Sequence, residues 1–259
     1  MGRAMAADDI LVAAASSLRT LWPDLIVQYQ EDTGEPRPRV SFASSGLLST
    51  QIQHGAPFDL FLSADTDSVA RLKASELTRE NHVVFALGKL ILISHERSEI
   101  ASELSLSSLS ARLALLNQGS NKDGHDRFRI TIPNPRHAPY GIAARAVLQF
   151  SGVWPVPAGH LLAAENAVQT LQFVNSGAID VGIVPQALLT GESGQSVETG
   201  RLIQHHLPEN SYEAVEHTMV RLTAPSAAAD RLFDWLQSDS AKSILMDHGL
   251  SVPLYNDGS

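Results

Sequence analysis

Four places along the chain put small, neutral hydrogen-bond donors where an extended run gives way to a helix. Ser16 and Ser17 close one apolar run (LVAAASSL, 11–18), and Ser44 and Ser45 close another (VSFASSG, 40–46). Tyr140 and Gly141 end a proline-rich approach (ITIPNPRHAPYG, 130–141), and Asn166 precedes Ala167 in AAENA (163–167). The N–H groups of a helix's first turn have no intrahelical acceptor, and a hydroxyl beside them adds a donor, so each place is an anion site in outline. Taken singly, each also reads as ordinary capping, since Ser and Asn satisfy the same N–H groups. Four such termini converging on one point would cradle a tetrahedral oxyanion.

Other chemistries are poorly served. Ser16 and Ser45 lie in no Gly-x-Ser-x-Gly elbow, and a serine nucleophile needs a base in reach. The ten histidines are scattered apart from His205-His206, which read as surface, and no His-Glu-x-x-His spacing marks a cation site. Asp59 and Asp65 flank a strand, where alternation and helix capping explain them. Arg136 and His137 could lend positive charge to an anion, but beside three prolines they read as solvent-facing. The absence of cysteine removes disulfides, thiolate metal sites and cysteine nucleophiles together. A formal net charge of −9 argues against nucleic acid or an anionic membrane as partner. An anionic ligand would have to be held by local dipoles against that general field.

The elements that must position these donors can be read in order. With 259 residues the chain has room for two domains of about 100–150 residues each. Residues 10–15 read as a buried strand. Leu18, Leu21, Trp22, Leu25, Ile26 and Tyr29 then form one helical stripe ending at Gly34, with a bend expected at Pro23. Strand 40–43, helix 47–54, strand 57–65 and helix 66–74, capped by Asp65, complete a β-α-β-α-β-α run, whose natural outcome is a parallel sheet covered by helices. Two close strands, 83–86 and 90–94, mark the crossing into a second domain. There the sequence predicts a helix over 104–110, a strand over 112–116, a polar mobile loop over 117–127, a helix over 142–150, a helix opening at 163–167 and running to 174, and a strand over 179–184 closed by Pro185. After a surface loop at 191–200, a return strand at 215–222 and helices at 227–237 and 240–248 finish the chain. The expected fold class is α/β with two domains, each a mainly parallel sheet flanked by helices, joined by two crossover strands. Residues 8–86 with 219–253 form the first domain and 87–218 the inserted second. Residues 1–7 read as a remnant ahead of a mature chain from which a signal peptide has been removed. No run approaches the roughly 18 apolar residues of a membrane span.

The ordered set AAASSL (13–18), FASSG (42–46), GAPFDLFLSAD (55–65), PRHAPYG (135–141), AEN (164–166) and GIV (182–184) resembles the periplasmic molybdate-binding proteins of ABC importers, over about residues 10–250. The resemblance implies a periplasmic-binding-protein fold whose two domains close on molybdate or tungstate, no cofactor and no catalysis, a membrane permease as partner, a monomer and a periplasmic location. Carried over motif by motif, it implies that Ser16 and Ser45 donate hydroxyl and backbone hydrogen bonds, that Tyr140 and Ala167 donate backbone N–H groups, and that Ser17 and Ser44 are additional candidates. One departure stands out. Many members of that family place a ligand tyrosine directly after the Gly-Ile-Val strand, where this chain has Pro185, with neither hydroxyl nor N–H. The Tyr140 hydroxyl is the expected replacement, with an aromatic lid as the alternative. Rival functions are sulfate or thiosulfate binding on the same fold, hydrolysis of phosphate or sulfate esters, and effector sensing, which lacks an attached DNA-binding segment.

Overall fold

The computed structural model describes residues 10–79, 81–117, 127–190, 201–223 and 226–253. The chain forms two five-stranded sheets flanked by helices. In the first, β1 (Leu11–Ala15), β2 (Arg39–Ala43) and β3 (Leu60–Ser63) run parallel, in the order β2-β1-β3. Beyond β3 lie β10 (Val215–Arg221) and β4 (Val83–Gly88), both paired antiparallel. The second sheet repeats the plan. Strands β7 (Leu161–Ala164), β6 (Ile130–Pro133) and β8 (Val181–Pro185) are parallel, and β5 (Leu90–His95) and β9 (Leu202–His206) extend them antiparallel. The lobes are joined where β4 passes through Lys89 into β5 and where β9 returns to β10.

Strand alternation sends successive side chains to opposite faces, and here both faces are covered. Val12, Ala14, Leu60, Leu62 and Met219 pack with α1 (Trp22–Thr33), α7 (Ala227–Trp235) and α8 (Asp239–Asp247). Ala13, Phe61 and Val220 face the other way, onto α2 (Ser45–Gln53) and α3 (Thr66–Ala74). In the second lobe Leu92, Ile130, Ile132 and Ile183 meet α4 (Leu106–Asn117) and α5 (Pro139–Phe150), while Ile91, Ile93 and Val184 meet α6 (Ala167–Asn175).

Several local expectations are corrected. The predicted strand at 112–116 is the second half of α4: Leu106, Leu109, Leu113 and Leu116 recur at helical spacing and are all buried. Pro23 bends nothing. Ser16–Leu18 is a separate 3₁₀ turn and α1 begins at Trp22, which puts Pro23 in the first turn, where a missing N–H removes no helical bond. The helix ends as expected, with Gly34 at φ 70° donating to the Gln30 carbonyl. Three short strands, β6, β7 and β9, are additions to the predicted set, β6 lying where the sequence reads only as an extended approach to a helix; Leu161, Leu162 and Ala163 are not buried, so β7 carries little apolar signal. The 191–200 loop and nearly all of the 117–127 loop lie outside the described residues.

Candidate functional site

The four donor-bearing termini lie at the ends of parallel strands, where the two lobes meet. Ser16 opens the 3₁₀ turn directly after β1, and that turn packs against α6 of the other lobe. On the same lobe, Ser44 is the N-cap of α2 and Ser45 its first residue. Across the cleft stands the 134–138 turn that leads into α5: the Gly46 N–H donates to the His137 carbonyl at 3.0 Å. The Tyr140 ring packs in one core cluster with Ala15 at the end of β1 and Ala64 just past β3. Segments from both lobes therefore touch at this point.

The state of each donor decides what it has left to give. Ser16 is 5% exposed, and its hydroxyl makes no hydrogen bond among the described residues. Ser45 is fully buried, and its Oγ accepts from the Ala64 N–H at 2.9 Å. That bond occupies a lone pair and leaves the hydroxyl proton free to donate. Ser17 is buried, and its Oγ approaches the Tyr140 phenol but has no partner at full hydrogen-bond distance among the described residues, whereas Ser44 is spent: its Oγ lies 2.8 Å from His137 Nδ1 and does not cap α2. The Tyr140 and Ala167 N–H groups, in the first turns of α5 and α6, have no acceptor among the described residues. The Asn166 side chain caps α6 through the Gln169 N–H at 3.0 Å and leaves Ala167 uncapped. Asp65 caps α3 through Ser68, as its place before that helix predicts. Burial pushes the Asp65 carboxyl pKa up, against the Ser68 hydrogen bonds that lower it.

The Tyr140 hydroxyl has a different neighbour from the one expected. It lies 2.8 Å from Nε2 of His217, a fully buried histidine on β10 whose ring stands edge-on to Phe85. Burial pushes the phenol pKa up, with Tyr212 adding to the rise and the Ser17 hydroxyl opposing it. Burial also pushes the His217 pKa down to about 3, so the ring is neutral at ordinary pH. A Cβ on Gly88 would fall 1.8 Å from the Tyr140 oxygen, so glycine at the β4–β5 junction is what admits the phenol. Neither His217 nor the bridging role of His137 stands out in the sequence; Arg136 is exposed as expected, but the His137 side chain is only 19% exposed. Pro185 closes β8, buried, without a hydroxyl or an N–H. Among the described residues no cluster of His, Asp and Glu has the geometry of a cation site.

Neutral donors from two β/α lobes thus lie buried where the lobes meet. Residues 10–251 match the family of bacterial extracellular solute-binding proteins. The chain belongs to that family. Among relatives of this solute-binding protein, the molybdate-binding protein ModA of Azotobacter vinelandii is 29% identical over 255 residues, covering 95% of this chain and 91% of the relative. ModA of Escherichia coli (strain K12) is 28% identical over 248 residues, covering 94% and 89%. The solved periplasmic molybdate-binding protein of Azotobacter vinelandii superposes with a TM-score of 0.79 at 25% identity, covering 95% of this chain and 100% of that one. The sulfate-binding protein SubI of Mycobacterium tuberculosis H37Rv, at 13% identity and a TM-score of 0.68, shares the fold alone.

Proposed function

We propose that this solute-binding protein captures molybdate, and tungstate alike, between its lobes and delivers it to the membrane permease of an ABC importer. The observation that carries the reading is the unspent donor set at the cleft: the hydroxyls of Ser16 and Ser45 and the N–H groups of Tyr140 and Ala167, drawn from both lobes. Each hydrogen bond to a charged ligand contributes ~1.5–3 kcal/mol, and helix N-termini add favourable dipoles. Such a set can hold a dianion without a countercharge. Ser17, buried and with no partner at full hydrogen-bond distance among the described residues, is the additional donor we favour in the place left by Pro185; Ser44 is committed to His137. Tyr140 contributes its N–H, while its hydroxyl serves the hinge.

The same reading takes the protein as a carrier and not an enzyme, working as a monomer with no cofactor. It also takes 8–86 with 219–253 as one lobe and 87–218 as the other, bounds that fall inside β4 and β10, two strands that lie whole in the first sheet, and has the lobes close about the two crossings. An extracytoplasmic location is supported by the family's description and a periplasmic one by the Azotobacter vinelandii protein; no described helix is long and apolar enough to cross a membrane. A thermal-shift panel with molybdate, tungstate, sulfate and phosphate tests the proposal. A ligand at a thousandfold its Kd stabilises the folded state by ~4 kcal/mol. Molybdate and tungstate should raise the midpoint together. Stabilisation by sulfate alone would transfer the site to the sulfate class, and no stabilisation by any of the four would remove the oxyanion reading.

A further inference from the structure

We propose that His137 is a positioning residue that latches the two lobes across the bound ion and so sets how long the ion is retained. The inference rests on the oxyanion reading for its ligand but on the interlobe geometry for its mechanism. His137 lies in the second lobe, on the turn between β6 and α5, and makes two hydrogen bonds to the start of α2 in the first lobe. Its Nδ1 is 2.8 Å from Ser44 Oγ, and its carbonyl accepts from the Gly46 N–H at 3.0 Å. These bonds bracket Ser45, whose hydroxyl is one of the proposed ligands, so the histidine fixes that donor relative to the N-terminus of α5.

The turn is built to hold the ring still. Asn134 accepts from the His137 and Ala138 N–H groups through its carbonyl and from the Arg136 N–H through its side chain. On the far side of the ring, Glu165 faces Nε2 at 3.9 Å. A carboxylate there favours the tautomer protonated on Nε2, which leaves Nδ1 to accept the Ser44 hydroxyl proton. Glu165 immediately precedes Asn166, the cap of α6, so the ring also touches the approach to the Ala167 donor. Ser44, His137 and Glu165 have the residue types of a hydrolytic triad. However, Ser44 is buried at the start of α2 and Glu165 is beyond hydrogen-bond range of the ring, so the trio is suited to holding and not to attack.

An interlobe contact opposes opening, so its loss should appear in the dissociation rate and not in the encounter rate. With molybdate as probe and a folded His137→Ala variant, stopped-flow measurement should show dissociation faster by roughly five- to tenfold, with association unchanged within about twofold. Ser44→Ala should reproduce the effect, and the double variant should be no worse than the stronger single one. His137→Asn, which can return an acceptor near the Nδ1 position, should recover much of the loss. Dissociation within about twofold of wild type for His137→Ala, or additive losses in the double variant, overturns the latch. Because the chain has no cysteine, Gln53→Cys and Gln172→Cys place one spin label on each lobe, both at exposed helix positions. Pulsed electron paramagnetic resonance with molybdate should then give one short interlobe distance in wild type and an added longer one in His137→Ala. If wild type binds no molybdate at all, the ligand reading fails by itself. The ligand-free distance distributions then test the latch separately, and identical distributions in wild type and His137→Ala overturn it.

Discussion

Replacing Tyr140 by phenylalanine separates two roles for the phenol, and the structure gives the size of the effect. The hydroxyl is 2.8 Å from His217 Nε2, and both residues are buried. His217 Nδ1 already lacks a partner among the described residues, so the substitution leaves a buried ring with neither nitrogen bonded to any of them. Removing one partner of a buried hydrogen bond costs ~1–3 kcal/mol. For a chain of this size each kcal/mol moves the midpoint by ~2–4 °C, so the ligand-free protein should melt roughly 2–12 °C lower. The ring and the Tyr140 N–H remain, so affinity for molybdate should hold within about threefold, under ~0.7 kcal/mol. Scanning calorimetry without ligand and titration calorimetry with molybdate read the two quantities independently. An unchanged midpoint with affinity down tenfold or more would show that the phenol serves the ion and would refute the hinge assignment.

Other substitutions divide binding from stability in different proportions. Ser45→Ala should lose both, because it removes a donor to a charged ligand, ~1.5–3 kcal/mol, and strands the Ala64 N–H, ~1–3 kcal/mol of stability; wild-type affinity in a folded variant would exclude Ser45 from the site. Gly46→Ala puts a Cβ 2.8 Å from the His137 carbonyl oxygen, so closure should suffer by ~1–3 kcal/mol while each lobe folds normally; small-angle scattering with molybdate should show a less compact particle than wild type, and equal compactness at saturation would contradict this. Acid should destabilise the protein through His217. Its folded pKa, down at about 3, lies below the ordinary 6.5, so only the unfolded chain takes up the proton between those values. Stability is therefore lost as pH falls from about 6.5 towards 3, by at most ~1.4 kcal/mol per pH unit from this group. His217→Gln should flatten that slope in thermal melts, and an equal slope would exonerate the residue.

What could be read from the sequence was local. Ser16, Ser45 and the starts of α5 and α6 announce themselves because a small polar residue or a proline where an apolar run ends marks a helix start wherever it occurs. The β-α alternation likewise fixes the first parallel trio, β1, β2 and β3, whereas in the second only β8 carries a strand signal of its own. Taken by itself the short apolar run at 112–116 reads as a strand, whereas the leucines from 106 to 116 carry one helical period. His137 and His217 were illegible for a different reason. Their partners lie 93 and 77 residues away, so only the packing of one lobe on the other brings Ser44 and Tyr140 to them. The destination of the Tyr140 phenol was set by Gly88 and β10, which nothing in the 135–141 motif reveals.

The central claim is that a molybdate ion sits among neutral donors from both lobes. The most direct test is a crystal grown with molybdate and an anomalous difference map at the molybdenum edge. One strong peak is expected between the lobes, with the ion's oxygens ~2.7–3.1 Å from Ser16 Oγ, Ser45 Oγ and the Tyr140 and Ala167 backbone nitrogens. A saturated crystal with the peak outside the cleft, or inside it but held by charged side chains instead of these four donors, would contradict the claim.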